Sequence, residues 1–236
     1  MKVTTDGCLF GAWVAERVRR RESGVGSPES GAGSILDIGS GTGLLSLMIA
    51  QQCNAEISTV EIDKESFEQA SENVAASPWA DRIKVFHADA RDPIAIGFEF
   101  SNKYDVIISN PPFYENELNG ENLKKNLAHH NQGLLLWQLL TIIKKNLKPD
   151  GTFFLLLPHK RNVEIRKLLT ESELAIRQLI IVRQSTKHNF LRVMLAGKIR
   201  TEKNTETLID EIFIKNEHDQ YTPEFVNLLK DYYLYL

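Results

Sequence analysis

Short apolar runs rich in β-branched residues alternate with segments of helical apolar spacing along most of this 236-residue chain. Strands are predicted at Ile35–Ile38, Ile57–Ile62, Ile83–His87, Tyr104–Ser109 and Thr152–Leu157. Helices are predicted between them at Leu44–Cys53, Ser66–Ala76 and Gly133–Asn146, the last stopped by Pro149-Asp150-Gly151. Strand-helix alternation of this kind builds a parallel sheet with helices on both faces. The strands read as near-continuous apolar runs because such a sheet is buried on both sides. A helix at Val163–Glu171 continues the pattern. Two strands, Ala175–Arg183 and Phe190–Lys198, then form a closing antiparallel hairpin around the polar turn Gln184–Asn189. The expectation is α/β: a doubly wound, seven-stranded, mostly parallel sheet in three layers, ending in that hairpin. Leu208–Ile214 offers one more strand and Pro223–Tyr232 a last helix. Ahead of the first strand lie a short helix, Leu9–Arg21, and a Gly/Ser-rich loop, Ser23–Ser34, which reads as flexible. One domain spanning 1–236 is the simplest division.

Composition narrows the function classes. Hydrophobic residues make up 42% and charged residues 25%, enough apolar material for a real core. The net charge of −3 argues against a basic coat, so any nucleic-acid surface is a local patch. Cys8 and Cys53 lack metal-type spacing, and no metal site is expected. No apolar run has the length of a membrane span, and the start has no signal-peptide shape; a cytoplasmic, monomeric protein is the expectation.

Asp37-Ile38-Gly39-Ser40-Gly41-Thr42-Gly43 follows the first strand and opens a helix. Glycines let the backbone turn tightly against a ligand, and the helix start offers unpaired N–H groups. Alone, such a loop also suits dinucleotides. Here the first strand ends in Asp37, the second in Glu61 with Ile62 beside it, and the third is followed by Asp89 and Ala90. Acids at three successive strand ends suit a ligand carrying an ammonium, a ribose and an adenine amine better than a pyrophosphate. S-adenosylmethionine fits that description.

The fourth strand runs into Asn110-Pro111-Pro112-Phe113. Two prolines end the strand ladder and fix a rigid turn. The Asn110 amide oxygen and the Pro111 carbonyl offer two acceptors to one NH2 group. An aromatic exocyclic amine is a poor nucleophile because its lone pair is delocalised. Two acceptors favour the pyramidal amine and the positive charge that develops on it. Phe113 offers an aromatic face for a base turned out of its stack.

With both motifs in place, the chain resembles the class I S-adenosylmethionine-dependent amino-methyltransferases, whose Rossmann-like fold the alternation matches. The segments Met1–Gly7 (MKVTTDG), LDIGSGTGLLSLMIAQ, SPWADRI (Ser77–Ile83), IISNPPFY (Ile107–Tyr114) and Tyr232–Leu236 narrow the resemblance to the bacterial tRNA1(Val) (adenine(37)-N6)-methyltransferases. The resemblance implies methyl transfer from S-adenosylmethionine to the N6 of an adenine in tRNA, with S-adenosylhomocysteine as product. It implies that Asp37, Gly39, Gly41 and Gly43 hold the methionine end, that Glu61 takes the ribose, and that Asp89 takes the adenine. Asn110 to Phe113 would form the target-amine site. Lys2, Thr5, Asp6 and Gly7 match a motif that closes over the cofactor. Where the family often has Ala-Arg-His, this chain has Ala128-His129-His130. Protein glutamine N5-methylation and guanine N2-methylation remain alternative uses of the same corner.

Three basic clusters are candidates for phosphate contact: Arg17 to Arg21, His159–Arg161 with Arg166 and Lys167, and Arg183 to Lys187 with His188 and Arg192. His159–Arg161 is favoured, because it follows a parallel strand at its ligand-binding end. Trp13, Trp79 and Trp137 are expected in the core, and Tyr232, Tyr233 and Tyr235 against the sheet.

Overall fold

The structure is a computed structural model; it describes residues 3–22, 33–92, 103–112, 134–185, 187, 190–201 and 206–235. Within them, eight strands form one sheet in the order β3-β2-β1-β4-β5-β7-β6-β8. The strands are β1 (Ser34–Ile38), β2 (Glu56–Glu61), β3 (Ile83–His87), β4 (Tyr104–Ser109), β5 (Leu147–Pro158), β6 (Leu174–Arg183), β7 (Phe190–Ile199) and β8 (Leu208–Phe213). Strands β1 to β5 pair in parallel. Strand β7 is antiparallel to both β5 and β6. Strand β8 then pairs in parallel with β6. The expected hairpin is therefore present, but it does not end the sheet. The count is eight strands rather than seven, because Leu208–Phe213 docks on the outer edge of β6. Four of its six residues are exposed, so the edge strand carries little of the apolar alternation that marks the others.

The helices are α1 (Thr5–Glu22), α2 (Leu44–Ala50), α3 (Lys64–Ala75), α4 (Leu136–Asn146), α5 (Asn162–Glu171) and α6 (Pro223–Leu229). Alternate strand residues serve opposite faces. Ile35, Val106, Ile108, Phe154 and Leu156 meet α1, α2 and α6 on one face. Leu36, Ile38, Ile107, Phe153 and Leu155 meet α4 and α5 on the other. Both layers are fully buried at their centres, which is why every residue of β4 is buried and its middle, Val106–Ile108, is apolar.

Helix α1 begins at Thr5, four residues earlier than the sequence pattern predicts. Thr4 supplies the reason. Its Oγ1 accepts from the Gly7 N–H at 3.3 Å, and its carbonyl accepts from the Cys8 N–H at 3.0 Å, so the motif becomes the helix start. Ser34 belongs to β1 and not to the preceding loop: its N–H and Oγ both donate to Asp105 at 3.0 Å. The rest of that loop, 23–32, lies outside the described residues. Arg82, inside SPWADRI, donates to the carbonyls of Ala50, Cys53 and Ala55 at 3.1, 2.9 and 3.3 Å. It ties the C-terminal end of α2 to the start of β3, and so holds the helix that the glycine loop opens.

Trp13 is buried and Trp79 packs at the core's margin, but Trp137 is 44% exposed on α4. Tyr232 and Tyr233 pack against the α1/α2 layer, with the Tyr232 hydroxyl donating to the Met48 carbonyl at 3.2 Å. Tyr235 is 91% exposed, contrary to the expectation that it packs. Among the described residues no helix is long and apolar enough to cross a membrane, and no group of three His, Cys, Asp or Glu could hold a metal ion.

Candidate active site

The ends of the parallel strands bring the predicted residues to one edge of the sheet. Gly39, Gly41 and Gly43 have φ of 71°, 57° and 80°. Gly43 is the residue before α2 and lies against Ala70 of α3, where a Cβ would sit 3.5 Å from the alanine Cβ. Gly39 faces open space: a Cβ there would meet nothing within 4 Å. That opening leaves room for a ligand to approach the backbone. The loop is anchored from below by the Gly39 N–H, which donates to the Val60 carbonyl at 2.8 Å, and by Thr59 Oγ1, which donates to Ser40 Oγ at 2.7 Å.

Two acids flank the loop. Asp37 is completely buried, and Ser46 Oγ donates to its Oδ2 at 2.7 Å. Its Oδ1 is buried with no hydrogen-bond partner. Burial pushes the Asp37 carboxyl up to about 7; the Ser46 bond opposes that shift and the nearby Glu61 carboxylate adds to it. Glu61 accepts from the Gly41 N–H at 2.7 Å and from the Asp63 N–H at 2.9 Å. Its carboxylate therefore braces the glycine loop across β1 and β2.

Ile62, next along, is 55% exposed, an apolar surface beside the loop. Across from it the His87 ring nitrogen Nε2 lies 3.0 Å from the Ile62 carbonyl, and Ala90 is buried. Both Asp89 oxygens are held by Arg91, at 2.6 to 2.9 Å. Those hydrogen bonds keep the Asp89 carboxyl below its ordinary range despite partial burial.

At the end of β4, Ser109 Oγ donates to the Ile38 carbonyl at 2.7 Å and straps the Asn-Pro corner to the glycine loop's strand. Asn110 is half-buried, Pro111 buried and Pro112 exposed. Among the described residues nothing hydrogen-bonds the Asn110 side-chain amide. The N-terminal motif reaches this corner: a Cβ on Gly7 would lie 3.9 Å from Asn110 Nδ2. Phe113 and Lys2 lie outside the described residues, as do His129 and His130.

The motif's position is fixed by a contact the sequence reading missed. Arg192 Nε donates to Asp6 Oδ2 at 2.8 Å. Arg192 stands opposite Pro158 in the β5/β7 register, at the carboxyl end of β5. Burial works to raise the Asp6 pKa, but hydrogen bonds from Thr4 and Arg192 and the Arg192 charge outweigh it, and the carboxyl sits below its usual range. Asp6 is thus held by protein, and Arg192 is turned inward rather than toward a phosphate. Arg183 is likewise turned from the phosphate-contact reading: it pairs with Glu211 and lies 5.7 Å over the Phe213 ring. Ser46 was also passed over; its signal is one small polar residue within LLSLMIA, placed to face β1.

His159–Arg161 forms a 3-10 turn directly after β5, at this same edge. Arg161 Nε and Nη2 are buried without hydrogen-bond partners, and Glu164 lies 4.0 Å from Nε. Burial, with the Arg183 charge adding to it, lowers the His159 pKa. Unpartnered Asp37 Oδ1, the open space over Gly39 and the exposed Ile62 together fit an amino-acid ammonium, a close-lying chain and an adenine ring. S-adenosylmethionine carries all three.

Comparisons with known proteins agree with this arrangement. Residues 27–180 match the family model "Methyltransferase small domain". A curated tRNA1(Val) (adenine(37)-N6)-methyltransferase from Dyadobacter fermentans is 38% identical over 99% of this chain and 91% of its own length. One from Phocaeicola vulgatus is 36% identical over 99% and 91%. Among solved structures, a predicted O-methyltransferase from Agrobacterium tumefaciens shares the fold with a TM-score of 0.66, at 15% identity over 94% of this chain and 95% of that one.

Proposed function

This chain belongs to the tRNA1(Val) (adenine(37)-N6)-methyltransferase family, and from that premise we propose that it methylates N6 of adenine 37 in tRNA1(Val) through the corner at Asn110. It is a class I S-adenosylmethionine-dependent enzyme. S-adenosylmethionine supplies an electrophilic methyl group on a sulfonium and leaves as S-adenosylhomocysteine.

The observation that carries the site assignment is the Asn110 amide. It is half-buried, bonded to nothing among the described residues, and held between the glycine loop and the Gly7 turn. In our reading Asn110 Oδ1 and the Pro111 carbonyl accept the two N6 hydrogens. The amine would become pyramidal, its lone pair freed from the ring to attack the donor's methyl group, and the positive charge developing on N6 would fall between two fixed dipoles. The surplus proton then leaves to solvent, so no strong general base is needed. Pro112 keeps the turn rigid, and Phe113 follows as the aromatic that stacks on the flipped base. Asp37 Oδ1 takes the cofactor ammonium, the Gly39 to Gly43 loop takes its carboxylate end, Glu61 the ribose, and Ile62, Asp89 and Ala90 the adenine. Lys2, Thr5, Asp6 and Gly7 close over it. Arg161, with two buried donors to spare, takes a phosphate beside the target nucleotide.

The protein acts as one domain, as a monomer and in the cytoplasm. The test is methylation of unmodified tRNA1(Val) beside a transcript with guanine at position 37. Label in the first and none in the second supports the assignment. Label in the guanine transcript, or only in a protein fraction, overturns it.

A further inference from the structure

We infer that the opposite end of the sheet holds a second ligand site, one that takes a nucleotide phosphate. A cavity of about 380 Å³ opens between the last turns of α1, the starts of β4, β6 and β8, the middle of β5 and the end of β7. Among the described residues, Arg17, Arg21, Arg177 and Lys198 line it, against one acid, Glu206. Arg17 and Arg21 are four residues apart on α1 and so share its face. The Arg17 guanidinium rests 5.3 Å from the Trp13 ring. Among the described residues, Arg21 donates to the backbone carbonyls of Asp105 and Asp150, each at 3.3 Å. Neither contact is to a carboxylate, although Glu16 and Asp210 lie near enough to act on the Arg17 charge.

Arg177 is aimed there by a local irregularity. Strand β6 pairs with β7 regularly from Leu174 to Ile176 and again from Gln178, and the register shifts between them. A bulge of this kind sets two successive side chains toward one side. Ile176 consequently packs with the α4/α5 layer, while both Arg177 and Gln178 line the cavity on the α1 side. Arg177 Nη1 is buried there without a hydrogen-bond partner. Gln178 Nε2 donates to Asp210 at 2.6 Å, which turns Oε1 the other way, and Oε1 is also buried and unpartnered.

Among the described residues the cavity is thus lined by four cations, and two of its lining side chains, Arg177 and Gln178, keep a buried donor and a buried acceptor without partners. A ligand that satisfies them brings more than one negative charge and at least one hydroxyl. A nucleotide's sugar phosphate has both, and forked guanidinium donors match phosphate oxygens. Val106 lines this cavity and Asn110 follows the end of β4 four residues on, so the two sites are about 13 Å apart at the ordinary strand rise. The same chemistry is carried by a free nucleotide and by an RNA strand.

Cytidine 5′-monophosphate, which lacks adenine, is titrated calorimetrically into the full chain saturated with S-adenosylhomocysteine. One site is expected, weakened at least tenfold in Arg177→Gln and in the doubly substituted Arg17→Gln/Lys198→Gln protein, with S-adenosylhomocysteine affinity unchanged in both. The double variant covers the case in which Arg177→Gln fails to fold. Affinity for unmodified tRNA is measured beside it over a salt series. A weaker affinity and a shallower salt slope in the variants place the phosphate in RNA, with or without mononucleotide binding. Unchanged tRNA affinity with lost mononucleotide binding places it in a free nucleotide. If cytidine monophosphate and tRNA bind the variants as they bind the parent protein, or if the parent binds no mononucleotide and the variants bind tRNA normally, the inference is wrong.

Discussion

Asp37 is a fully buried acid whose second oxygen has no partner, and its protonation follows from that. Its carboxyl is raised from the ordinary aspartate range to about 7, so the folded protein holds a proton there that the unfolded chain has released. The stability that proton represents is full below the unfolded pKa and is lost as pH rises through about 7. Ligand binding in the proposed arrangement runs the other way, because a cationic amine favours the ionised form. S-adenosylhomocysteine affinity is therefore expected to rise about tenfold between pH 6 and pH 8, as one group with this pKa changes from mostly protonated to mostly ionised. Asp37→Asn removes that dependence. It also makes the free protein more stable at pH 8, by an amount on the order of a few kcal/mol. Calorimetric titration and thermal melts across the range check both. A flat profile in the parent protein would show that Asp37 does not meet the amine.

Residue types made this group legible, since an acid before a glycine loop is visible in the sequence. Its unpaired oxygen was not, because nothing in the string tells which of its oxygens Ser46 engages. Arg192 was harder still. In sequence it belongs to a basic cluster 186 residues from Asp6, and only the β5/β7 register brings it to the N-terminal turn.

At the scale of elements, Arg192 is a positioning residue. It fixes the start of α1 against the carboxyl end of β5, and the Gly7 turn is thereby set beside Asn110. The ion pair is part-buried, so its loss costs little stability, about 1 kcal/mol or less. Arg192→Gln should instead raise the KM for the cofactor and lower kcat by about tenfold, the effect of a misplaced site element. Arg192→Lys keeps the charge and recovers part of the loss. Steady-state kinetics separates these from a simple unfolding effect, which would leave the active fraction with normal constants.

The antiparallel hairpin packs closely at Gly197. A Cβ on Gly197 would lie 2.2 Å from Phe153 Cζ and 2.7 Å from the Ala175 carbonyl. The ring could turn, but the carbonyl belongs to the neighbouring strand. Gly197→Ala is expected to destabilise the protein by about 1–3 kcal/mol, read from denaturant unfolding. Hydrophobic periodicity revealed most strands and helices because burial on both faces dictates it. It placed α1 late and left β8 unassigned to the sheet. The start of α1 rests on a threonine cap and a glycine rather than on apolar spacing. Strand β8 is mostly exposed, so burial leaves little imprint on it.

For the whole molecule, the sheet gathers the glycine loop and the Asn110 corner, the proposed cofactor cradle and amine-binding site, at one end. A slightly acidic surface bears its cations in local groups: Arg161 at the catalytic edge and the Arg177 cavity at the other. The central claim is that Asn110 activates the N6 amine of an adenine in tRNA. Its most direct test is the transfer of labelled methyl from S-adenosylmethionine to unmodified tRNA1(Val), with nucleoside analysis of the product, for the parent protein and Asn110→Ala. The expected result is labelled N6-methyladenosine from the parent and a rate lower by about a hundredfold or more in the variant, with cofactor affinity within a few-fold. Full activity in Asn110→Ala, or a labelled nucleoside other than N6-methyladenosine, would contradict it.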